Sequence, residues 1–257
     1  MSEVRYEVTD RVAHVTIDRP DKRNAMDLEV FAQLAERAGQ VGEDPDVGAV
    51  VVAGRGGTFS AGLDVSLFGS QLAEGVEPAF VTRLQAAFTA YEELDVPVIA
   101  AVEGHCLGGG IQLALACHLR AVAPSARLAV AETTWGLVPD LGATWRLPRL
   151  VGLGRATELV LSARQVEADE ARAIGLAELD LPDDGAQDAA HALAARLAAG
   201  PAALRHLPRL LRDNLERDRR SALAAEAATQ LTVMAGHDFQ EAVQARMAGR
   251  DPVFTGG

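Results

Sequence analysis

Apolar and polar residues alternate with a period of two at the start of the chain, in VRYEV and VAHVTI, on either side of Thr9-Asp10-Arg11. This alternation predicts a two-stranded hairpin. DRPDKRNAMD breaks the pattern, and Asp27 stands where it caps a helix whose Leu28, Phe31, Leu34 and Ala38 share one face. The continuous apolar run VGAVVVAG predicts a buried strand, followed by the glycine-rich loop GRGGTFSAGLD. Phe80, Leu84, Phe88 and Tyr91 recur at helical spacing, and VPVIAAVEG predicts another buried strand leading into the triplet Gly108–Gly110. Gly109 to Cys117 read as a mostly apolar, buried helix, and LRAVA and RLAVA as two further short strands. Strand, loop, helix and strand thus alternate through the middle, which argues an α/β core. From Leu153 helical patterns dominate; Gly175 suits a helix end, and Pro201 and Pro208 punctuate the helix-forming last part.

Composition narrows the function. A chain of 257 residues, 49% hydrophobic, makes one large domain or one domain with an appendage, and builds its core without disulfide or metal staples. Apolar runs stay below the roughly 18 residues of a membrane span, and the charged, alternating N-terminus has no leader core. We expect a cytoplasmic protein with no membrane partner. Cys106 and Cys117 lack metal-ligand spacing and read as reduced core thiols. With 36 acids against 24 bases, the net charge of −12 repels nucleic acid. Lys22 is the single lysine, which nearly removes Schiff-base chemistry.

Two glycine-rich loops each follow a buried strand. GRGGTFSAG lacks the lysine of a P-loop, and neither loop completes a dinucleotide fingerprint in its strand-to-helix setting. Either the glycines allow tight turns and close packing, or their free backbone N–H groups at a helix start hold an anion or a forming oxyanion. Glu132 follows a short apolar strand, where lost hydration raises its pKa and suits it to general base work. A helix-capping or Arg-paired glutamate is the alternative. Asp140, in VPDLGA, reads as ordinary turn chemistry. Ser60 lies in no nucleophile elbow.

DRPDKRNAMD, GGTFSAGLDV, GHCLGGGIQLALAC, ETTWGLVPDLGATWRLPRLVG and RDPVFTG, in this order and spacing, resemble the crotonase (enoyl-CoA hydratase/isomerase) superfamily. The resemblance implies a ββα spiral core over residues 1–195 and a C-terminal helical section, 196–257, that supports trimers, often paired into hexamers. It implies an acyl-CoA thioester substrate whose carbonyl sits between the N–H groups of Leu63 and Gly109. Lys22, Arg23 and Ala25, with Ser60, Ala61, Gly62 and Asp64, would hold CoA, and Gly108 would contact the substrate beside Gly109. No metal and no redox cofactor is implied, since CoA arrives with the substrate. Hydratases of this family carry two glutamates, and here Gln112 and Glu132 stand at those places. An amide does not exchange a proton as a carboxylate does, although Gln112 could orient water or substrate. The resemblance therefore implies double-bond isomerisation by Glu132, with Asp140 as a second acidic group as in dienoyl-CoA isomerases. The alternatives are a hydratase with a reduced site and a non-catalytic acyl-CoA binder. The helix of Phe80, Leu84 and Phe88 is expected to bound the acyl pocket, and Trp135 and Trp145 to pack in the core or, as the alternative, to line that pocket. His14, His118, His191, His206 and His237 are expected to serve surface or packing roles, with His105 unassigned.

Overall fold

In a computed structural model, residues 2–67 and 78–256 are described; the outermost residue of each expected section, Met1 and Gly257, lies outside them. Strands β1 (Val4–Thr9) and β2 (Val12–Ile17) form the expected hairpin, in register from Val4↔Ile17 to Thr9↔Val12. Both turn residues, Asp10 and Arg11, have positive φ, the geometry that matches the twist of the two strands. The sheet then continues in parallel through β3 (Ala49–Gly54), β4 (Val98–Val102), β6 (Leu119–Val122) and β9 (Leu179–Asp180). A smaller sheet holds β5 (His105–Leu107), β7 (Arg127–Ala129) and β8 (Val166–Glu167).

β3 is buried along its whole length because both faces are covered. On one side lie α1 (Leu28–Glu43), α2 (Pro78–Glu92) and α3 (Gly109–Ala116), packed over Val50 and Val52 with Phe31 stacked on Phe88. On the other lies α7 (Ala186–Ala198), whose Ala186, Ala190, Ala194 and Ala198 meet Ala49, Val51 and Ala53. Small residues let that helix approach closely: a Cβ on Gly48 would fall 2.8 Å from the Ala198 Cα.

Asp27 caps α1 as expected, its Oδ1 accepting from the Val30 N–H at 3.1 Å. Leu28 does not join the buried face and is 44% exposed; the stripe consists of Val30, Phe31, Leu34, Ala38 and Val41. Two short helices, α4 (Ala143–Val151) and α5 (Leu153–Ser162), and α6 (Ala168–Ala173) complete the core. The expected division at 195/196 falls inside the last turn of α7. Beyond Pro201 come α8 (Ala203–Asn214), α9 (Arg219–Ala235) and α10 (His237–Ala248). Pro208 lies within α8 rather than breaking it. His14 and His191, which no sequence spacing connects, stack across β2 and α7 and share a 2.9 Å hydrogen bond.

Candidate active site

The two glycine loops meet because short parallel bridges tie them together. Ser60 pairs with Cys106 of β5, and Met26 pairs with Leu63. Ser60 is fully buried; its hydroxyl donates to the Asn24 carbonyl at 2.8 Å and accepts from the Gly62 N–H at 3.1 Å. Gly108 has φ 50 and ψ −120, a combination that side chains avoid. Gly110 lies so close to Ser60 that an added Cβ would sit 2.7 Å from its carbonyl oxygen. These contacts bring the start of α3 against the loop after β3. Among the described residues, neither the Leu63 nor the Gly109 N–H donates to a protein acceptor, and both residues line one cavity of about 420 Å³.

Lys22, Ala25, Ala61, Gly62, Asp64, Gly108 and Glu132 line the same cavity. Lys22 reaches across to Asp64, Nζ to Oδ2 at 3.2 Å. The Ser66 N–H and hydroxyl, and then Lys22, hold the Asp64 carboxyl well below the usual carboxylate range. Arg19 joins this cluster, its guanidinium 2.8 Å from Asp27 and 3.3 Å from Asp64.

Glu132 opens a 3₁₀ turn (Glu132–Trp135) directly after β7. Burial pushes its pKa up and the charge of Asp140 adds to the rise, against the pull of its own N–H and the Gln112 amide. Its Oε1 accepts from Gln112 Nε2 at 2.7 Å, while its buried Oε2 has no hydrogen-bond partner. The cavity thus sets two free N–H donors and one proton-hungry carboxyl around a single space. That set can polarise a carbonyl and move a proton on the carbon beside it.

Four expected site residues stand outside the cavity wall. Arg23 is exposed with φ 51, and it braces the loop through its carbonyl, which accepts from the Ala61 N–H at 2.9 Å. Ser60 lies beneath the wall, and Gln112 lies behind Glu132 with no exposed surface. Asp140 is half-buried on the loop before α4; burial raises its pKa, and its carbonyl accepts from Gln85 on α2 at 2.6 Å. Phe80, Leu84 and Phe88 pack into the main core instead of bounding the described cavity. Trp135 takes the alternative of its two expected roles: it lines the cavity beside Leu137 and is 65% exposed, whereas Trp145 carries Arg149 over its ring at 4.1 Å.

Sequence reading missed Asn24. Buried, with φ 55, it accepts from the Arg19 N–H and donates to the carbonyls of Arg55 and Thr58, pinning both sides of the site. Its position between Arg23 and Ala25 was the available signal, because asparagine tolerates left-handed backbone.

Known proteins resemble this chain over nearly its whole length. The family model described as "Enoyl-CoA hydratase/isomerase" matches residues 7–257. A "probable enoyl-CoA hydratase", EchA12 of Mycobacterium tuberculosis H37Rv, is 37% identical over 254 residues, covering 95% of this chain and 89% of that one. The human mitochondrial Delta(3,5)-Delta(2,4)-dienoyl-CoA isomerase is 34% identical over 253 residues, 93% of this chain and 77% of that one. The crystal structure of an enoyl-CoA hydratase from Bacillus anthracis superposes with a TM-score of 0.92 at 30% identity, covering 99% of this chain and all (100%) of that one. A candidate enoyl-CoA hydratase from Thermobifida fusca YX, in complex with CoA, gives 0.82 at 34% identity, over 91% and 93% of the two chains.

Proposed function

The chain belongs to the enoyl-CoA hydratase/isomerase family, and from that premise we propose that it shifts the double bond of an unsaturated acyl-CoA. The observation that carries this reading is the pairing of Glu132 with an amide. Glu132 is the one carboxylate on the described cavity wall without a cationic partner, and Gln112 behind it has both acceptor positions of its oxygen filled by backbone N–H groups. A second proton carrier of the two-glutamate kind has no place to act.

The thioester oxygen enters between the Leu63 and Gly109 N–H groups, where the start of α3 adds positive potential. Glu132 takes a proton from the carbon next to the carbonyl, and the electron pair moves into the thioester as an enolate conjugated with the double bond. The same carboxyl returns the proton two carbons further along, at the γ position, and the double bond moves toward the carbonyl. One proton leaves and one returns, so the reaction consumes nothing and draws on no metal or redox cofactor. Lys22 and the adjoining loop face the CoA end. Asp140 extends the reaction to 3,5-dienes as a second acidic group.

Hydration by Glu132 alone is the second reading, favoured by relatives named as hydratases. Incubation with cis-3-, trans-2- and 3,5-dienoyl-CoA separates the readings. We expect cis-3-enoyl-CoA to be isomerised, and the Glu132→Gln variant to lose about 10²–10⁴-fold in kcat. Hydrated product from the trans-2 thioester without any isomerisation would select the second reading, and tight binding without turnover of any thioester would leave an acyl-CoA binder.

The proposal includes a homotrimer or a paired hexamer, supported by apolar side chains exposed on α8, α9 and α10, with Met247 85% exposed. It also includes a cytoplasmic location, supported by two buried free thiols; burial pushes Cys117 up to about 12. Among the described residues no helix is long and apolar enough to cross a membrane.

A further inference from the structure

Glu132 stands on the cavity wall, and a residue that does not reach the cavity holds its carboxyl from behind. Gln112 sits one turn into α3 with no exposed surface. Its amide oxygen accepts from the Leu141 N–H at 2.9 Å and the Ala143 N–H at 3.1 Å, and its Nε2 donates to Glu132 Oε1 at 2.7 Å. This orientation is forced by chemistry. Turned over, the NH₂ group would face two N–H donors and the amide oxygen would face a carboxylate oxygen.

We infer that Gln112 is a positioning residue for Glu132: its amide holds Oε1, the carboxyl oxygen beside Gly108, and fixes the orientation from which the carboxylate takes a proton. The inference rests on the proposed reading of Glu132 as acid and base. Being neutral at every working pH, the amide supports the carboxylate without competing for its proton. Because the same amide grips the Leu141–Ala143 segment, it also ties the loop bearing Asp140 to the base. Asp140 is the charged group acting on Glu132 from that loop. Lys22 and Asp64 stand on the facing cavity wall as a mutual pair. On α5, packed against the 3₁₀ turn, Arg155 and Glu158 are exposed, and α3 carries no ionisable side chain.

Gln112→Glu is the discriminating variant. It keeps an acceptor for both backbone N–H groups and changes only the side facing Glu132, where two carboxyls must then share one proton. Infrared titration of the ligand-free protein follows the Glu132 carboxyl, identified by its loss in Glu132→Gln. Its midpoint is expected to rise by about one pH unit or more in Gln112→Glu, roughly tenfold in proton affinity. The acidic limb of the kcat profile moves up with it. Gln112→Met, which keeps the buried volume and removes the donor, shifts the midpoint the same way and covers a failure of the first variant to fold. A role confined to holding the fold would lower Tm and leave the midpoint in place, and that result overturns the inference. Should Glu132→Gln retain full activity while the midpoint still shifts, the reading of Glu132 as base fails and the Gln112 contact stands. Activity lost in Glu132→Gln with an unmoved midpoint sinks the Gln112 inference alone.

Discussion

At Glu132, burial lifts proton affinity, the Gln112 amide and the residue's own N–H draw it back, and the charge of Asp140 adds to the rise. Acting as a base, Glu132 must be ionised, so activity falls as pH drops through its raised pKa. Removing the Asp140 charge lowers that pKa. In Asp140→Asn the acidic limb of kcat/KM for a cis-3-enoyl-CoA should therefore move to lower pH, while turnover of a 3,5-dienoyl-CoA is lost. A limb that stays in place would show that Asp140 does not act on the base. Glu132 was legible as a candidate because an apolar strand precedes it. The role of Gln112 was not, because the atoms that orient its amide lie 29 and 31 positions away in Leu141 and Ala143.

The elements that shape the site owe their positions to close packing as much as to propensity. Gly110 lies on the face of α3 pressed against Ser60, so Gly110→Ala would force backbone apart and cost about 1–3 kcal/mol, read as a lower Tm with weakened acyl-CoA binding. Gly154 in α5 has nothing within 4 Å of an added Cβ, and Gly154→Ala there should stabilise by up to about 1 kcal/mol. Equal Tm changes in the two variants would contradict this account. Periodicity located α1 and its Asp27 cap, because capping is a local bond. It misplaced Leu28, whose exposure depends on what the first turn of the helix meets. Trp135 shows the same limit: its place beside Glu132 left core and pocket both open, and the 3₁₀ turn after β7 puts it on the cavity wall.

At the scale of the molecule, Asp238 fastens the C-terminal helices to one another, joining the start of α8, α10 and the last residues. Its buried carboxylate accepts from the N–H groups of Ala202, Thr255 and Gly256 at 2.9, 2.9 and 3.0 Å. Burial alone would raise its pKa, but the backbone donors of Thr255, Ala202 and Gly256 outweigh it and bring the group from 3.8 to about 2. A depressed folded pKa means this contribution is present above pH 3.8 and fades as pH falls through about 2. Asp238→Ala leaves those donors unmatched and should cost roughly 2–3 kcal/mol in thermal or denaturant unfolding, with earlier proteolysis in the last residues. Sedimentation equilibrium tests the proposed assembly, and a monomer at every concentration would refute it.

The sequence by itself determined the family, the α/β alternation and the glycine loops, and it singled out Glu132 as the candidate carboxylate, because each is written in local pattern and spacing. Only the tertiary structure decided which of these residues face the cavity. It placed Gln112 behind Glu132, set Arg23 and Ser60 outside the described cavity wall, and joined His14 to His191 across 177 positions. The physical reason is shared. Burial and hydrogen bonding belong to pairs of groups, and the partners that decide them lie far apart along the chain.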